Sequence, residues 1–153
     1  MTRRDHIRHA LDVIYDQIFN KGQADLLPSL VSGPYIQHNP LFPNGLDGIM
    51  DYIKQAGRIP CEVKRIAIDG DLAFVQVRYL DWGGQETAGV DIFRFDADGK
   101  IVEHWDVLQP RAGRLQQRQH DVLEHERTCG SKREDHEIEG RRAVAQRRGN
   151  GCW

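Results

Sequence analysis

The chain has little of what marks several protein classes. No apolar run approaches the ~18 residues of a membrane span, so no membrane helix is expected. Three cysteines in 153 residues, Cys61, Cys129 and Cys152, are far apart, odd in number and form no CxxC pair. Neither a disulfide framework nor a zinc site is expected from them. Charge is nearly balanced, 21 Lys and Arg against 23 Asp and Glu, for a net −2. That removes any global electrostatic case for nucleic acid or an acidic membrane as partner. The N-terminal MTRRDHIRHALDVIYDQIF alternates charged and apolar residues and lacks the continuous core of a signal peptide. A soluble cytoplasmic protein is the expectation.

Ile7, Ala10, Leu11, Ile14 and Ile18 recur at helical spacing and predict an amphipathic helix over residues 5–20. A short helix over 24–30, a break at Gly33-Pro34 and a strand over 35–39 follow. A second amphipathic helix is predicted over 46–56, ended by Gly57. From Pro60 the apolar period changes to two. Strands are expected over 61–68, 72–80, 87–95 and 101–109, joined by glycine-containing turns. Helices first and a meander of strands later make an α+β domain, with the helices on one face of a curved antiparallel sheet. Residues 112–153 break the pattern, being rich in Arg, Glu, His and Gln and poor in large aliphatics. The expectation is a domain over 1–111 and a mobile or weakly helical tail, which a frameshift could have produced.

Titratable residues fall inside these strands. Asp91 lies between Val90 and Ile92, where an aspartate is disfavoured by strand propensity and costly to bury. Alternation puts it on the face of Phe93 and Phe95; an outward orientation or a salt bridge to Arg78 would explain it equally. His104 and Asp106, two apart, share one face with Val102 and Leu108, while Glu103, Trp105 and Val107 share the other. Alternation does not say which face looks inward, and a β-bulge would reverse the answer. In Tyr35-Ile36-Gln37-His38-Asn39-Pro40, Ile36 and His38 face one way and Tyr35, Gln37 and Asn39 the other. His38 and Asn39 could equally serve only the strand's end. His6 and His9, one helical turn apart, are a weak metal signal on a solvated face.

The Tyr35–Pro40 segment, the Gly45-Leu46-Asp47-Gly48 helix entry and the run from Asp91-Ile92-Phe93-Arg94 into Gly99-Lys100-Ile101-Val102-Glu103-His104-Trp105-Asp106 together resemble the SnoaL-like polyketide cyclases of the NTF2-like superfamily. The resemblance spans about residues 5 to 110. It implies a cone of bent sheet closed by N-terminal helices, with a deep pocket. It implies acid–base chemistry of the aldol-condensation type on a small apolar carbonyl compound, without metal or cofactor, and a homodimer packed through its sheets. Asp106 matches the family's acid/base aspartate, and His38 and Asn39 match polar wall residues. Asp91 and His104 are weaker matches as catalytic partners. Tyr35, Phe42, Trp82, Phe93 and Trp105 are candidates for the apolar wall, although each also suits ordinary core packing. A non-catalytic ligand-binding module remains the alternative. So does a lyase, isomerase or epoxide hydrolase on the same fold, which would need further carboxylates or an arginine such as Arg78 or Arg94 in the pocket.

Overall fold

A computed structural model describes residues 2–112. The expected tail lies outside the described residues, apart from Ala112. Helix α1 spans Arg3–Asp12 and runs on as wider, π-type turns over Val13–Asn20. Thr2 starts it with a reciprocal cap: its hydroxyl accepts from the Asp5 amide, and its own amide donates to the Asp5 carboxylate. Such a cap is worth ~1 kcal/mol. The helix expected over 5–20 is therefore present but not uniform. Asn20 ties its end to the sheet, donating to the Cys61 carbonyl at 3.0 Å and accepting from the Cys61 amide at 2.8 Å. A 3₁₀ turn over Ala24–Leu26 leads into α2, Leu27–Leu30. Helix α3 spans Asp47–Ala56.

Five strands follow the chain as β1 Val31–Gln37, β2 Cys61–Asp69, β3 Leu72–Trp82, β4 Gln85–Phe95 and β5 Ile101–Pro110. Their spatial order is β1-β5-β4-β3-β2. The four later strands form the expected antiparallel meander. β1 pairs parallel to β5, so the sheet is mixed rather than wholly antiparallel. The expected break at Gly33-Pro34 is also corrected, because both residues lie within β1. Gly33 has φ +62° and the register slips between Val31 and Ile36, forming an irregularity that an edge strand tolerates even with a proline. Between β3 and β4 the turn is Gly83-Gly84, both with positive φ, as a two-residue hairpin loop demands.

One face of the sheet carries Ala73, Val75, Val77, Phe93 and Phe95, packed with Ile7, Leu11, Ile14 and Ile18 of the long helix and with Ile53 of α3. Removing these side chains from water drives the packing, at ~25 cal/mol per Å² of apolar area. The opposite face exposes Phe74, Val90 and Val107. No helix among the described residues is long and apolar enough to cross a membrane.

Candidate active site

The inner face is apolar except at its centre. Register pairs Asp91 of β4 with Asp106 of β5, and Phe93 with His104. A slip between Arg94 and Phe95 leaves Val102 as the extra residue of β5, so that both Ile101 and His104 turn inward. His104 and Asp106 line a cavity whose empty space, open solvent included, is about 510 Å³. Tyr35 and Gln37 from β1 join them, and Phe42, Trp82 and Phe93 contribute aromatic wall. No lysine or arginine among the described residues lines it.

Asp91 lies behind this cavity, only 2% exposed. One carboxylate oxygen, Oδ2, accepts from the Tyr15 hydroxyl at 2.5 Å and the Tyr79 hydroxyl at 2.6 Å. Burial and the nearby Asp91 carboxylate push both phenols well above their ordinary pKa, so both remain donors. Its other oxygen, Oδ1, lies 3.8 Å from His104 Nε2. Asp106 accepts from the Asn39 side-chain amide at 2.5 Å. Asn39 is itself oriented, since its Oδ1 accepts from the Leu41 backbone amide at 2.8 Å. Burial raises the Asp106 carboxyl above the usual aspartate range, against the lowering effects of the Asn39 amide and, when its ring carries charge, of His104. Burial also raises the Tyr35 hydroxyl, which therefore stays protonated.

Of the residues picked from the sequence, Asp91, His104, Asp106, Tyr35, Asn39, Phe42, Trp82 and Phe93 come together at or behind this cavity. His38 and Trp105 do not. Strand alternation turns both outward, where their rings stack 4.7 Å apart and nearly parallel. His38 Nε2 lies 2.8 Å from Glu103, and Arg94 sits over the Trp105 ring. A catalytic role for His38 and a wall role for Trp105 are thus corrected, because the sheet itself separates them from the cavity. Arg94 is held on that outer side by Glu103, and Arg78 pairs with Glu86 and Glu62. Neither arginine reaches Asp91.

Sequence reasoning missed Gln37, Tyr15 and Tyr79. Gln37 was legible as a neighbour of Tyr35 and Asn39 on one strand face. The two tyrosines come from the long helix and β3, and nothing local links them to Asp91. Asp91, His104 and Asp106 each offer an atom within 4.8 Å of the others, a grouping that could hold a cation. Their hydrogen bonds to tyrosine, glutamine and asparagine account for the cluster without one. Cys61 is buried, and burial pushes its thiol up to about 12, which makes it inert.

The SnoaL-like domain family matches residues 14–104 of this chain. No curated protein matches it. Among solved structures, an NTF2-like protein of unknown function from Burkholderia xenovorans LB400 is 21% identical, with a TM-score of 0.62 over 74% of this chain and 91% of its own. A steroid delta-isomerase from Pseudomonas aeruginosa is 19% identical, with a TM-score of 0.54 over 69% and 80%. TsrD from Streptomyces laurentii is 17% identical, with a TM-score of 0.53 over 69% and 87%. At these identities the likeness is one of fold, and the fold is the NTF2-like α+β cone.

Proposed function

The chain belongs to the SnoaL-like domain family, and from that premise we propose that it is a cofactor-independent acid–base enzyme acting on a small, uncharged apolar carbonyl compound. Asp106 takes the proton α to the carbonyl and returns it after the bond change, as an aldol-type cyclisation requires. The Tyr35 hydroxyl accepts from Gln37 at 3.2 Å, which leaves its own hydrogen free to polarise the substrate oxygen. The observation that carries the reading is the part-buried Asp106 carboxyl in an apolar-walled cavity, where burial pushes its pKa up. An aromatic wall with no lysine or arginine among the described residues favours a neutral, flat or aliphatic ligand. Exposed Val90 and Val107 on the outer face support a homodimer packed through the sheets, and the cytoplasm as location fits the same reading.

The test has two parts. Carboxyl-carbon NMR, with Asp106→Asn to assign the signal, measures the Asp106 pKa. Exchange of α-hydrogens for deuterium in a panel of neutral ketones measures proton abstraction directly. The reading expects a raised pKa and an exchange rate that falls ~10²–10⁴-fold in Asp106→Asn. An ordinary pKa with no exchange in any ketone would leave a ligand-binding module. The sign for stability follows from the raised pKa. The native carboxyl holds its proton to higher pH than the unfolded one, so this group favours the fold at low pH. That contribution is lost as pH rises through the folded value. Asp106→Asn should therefore match the parent in stability near pH 3 and exceed it at pH 7.

A further inference from the structure

We propose that Gln37 is a positioning residue that sets the tautomer of His104, leaving its Nε2 as a bare proton acceptor in the cavity. The Asn39 amide N–H lies 3.0 Å from Gln37 Oε1. A backbone N–H can only donate, so that end of the Gln37 side chain is its oxygen. The other end donates to the Tyr35 hydroxyl at 3.2 Å, and both ends of the amide are thereby assigned. Gln37 is 8% exposed, so water does not compete for either.

The same Oε1 lies 2.9 Å from His104 Nδ1. An amide oxygen only accepts, so Nδ1 carries the hydrogen. A neutral imidazole has a single N–H, and its Nε2 then presents a lone pair. Nε2 makes no hydrogen bond to Asp91, whose Oδ1 at 3.8 Å is in ion-pair range only of a protonated ring. Asp91 spends its other oxygen on Tyr15 and Tyr79. The ring held in this way belongs to the group of Asp91, His104 and Asp106, each of which offers one atom within 4.8 Å of the others. Resting on the acid–base reading, Gln37 gives the site a second proton acceptor beside Asp106.

Nitrogen-15 NMR of the labelled imidazoles in the full chain reads the tautomer directly, with His104→Gln to assign the ring. At a pH where the ring is neutral, the parent should show Nδ1–H. Gln37→Glu keeps an oxygen acceptor and should keep Nδ1–H. Gln37→Met keeps the volume but removes the acceptor, and should shift the ring toward Nε2–H. A thermal melt checks that each variant is folded; if Gln37→Met is not, the parent and Gln37→Glu spectra decide. Nε2–H in the parent would overturn the proposal. So would a ring protonated on both nitrogens through pH 9, or Nδ1–H persisting in folded Gln37→Met. None of these results depends on the Asp106 titration, so the two readings fail separately.

Discussion

Replacing Tyr79 with phenylalanine removes one oxygen and little volume, and it tests whether Asp91 is a buried carboxylate held by hydroxyls. Asp91 and Tyr79 are each 2% exposed, so water cannot replace the lost donor. A hydrogen bond to a charged group contributes ~1.5–3 kcal/mol net. Tyr15 still donates to the same oxygen, which places the expected loss near the middle, about 2 kcal/mol. For a domain of this size that is roughly 8 °C in melting temperature, and a large part of a total near 5–15 kcal/mol. Urea denaturation at pH 7 measures it. A double-mutant cycle with Asp91→Ala separates the bond from ordinary packing: once the carboxylate is gone, Tyr79→Phe should cost only about 0.5 kcal/mol. A loss below about 0.5 kcal/mol in the parent, unchanged in the Asp91→Ala background, would refute the arrangement. The carboxyl would then be held by something other than these phenols.

Two further outcomes follow from the same geometry. His38→Ala should leave ketone α-exchange and the Asp106 titration unchanged and cost at most ~1 kcal/mol, since a half-exposed polar contact such as His38–Glu103 contributes little; an exchange loss matching that of Asp106→Asn would show that His38 reaches the cavity after all. Gly89→Ala should destabilise by ~1–3 kcal/mol in thermal melts, because the added Cβ would meet Tyr79 Cε2 at 2.7 Å and Val77 Cγ1 at 2.9 Å; an unchanged melting temperature would mean that the sheet is looser there than described.

Much of the fold was legible locally. Period-two alternation and glycine-containing turns marked all four strands of the meander, because both signals act within a few residues. The β1 strand was harder. Gly33-Pro34 reads as a break in isolation, and only pairing with β5 shows that an edge strand can carry it. The π-type turns after Asp12 had no local signal.

For the site, the sequence alone determined which side chains share a strand face: His104 with Asp106, Tyr35 with Gln37 and Asn39, and His38 apart from them. That follows from covalent geometry, since successive side chains on a strand point to opposite sides. Which of those faces looks into the cavity was decided by the tertiary structure, through the bulge at Val102 and the helices that cover one side of the sheet. Tertiary structure also decided what lies behind Asp91. Tyr15 and Tyr79 are 76 and 12 residues away from it in the chain, and a partner at that distance is chosen by packing and not by any periodicity.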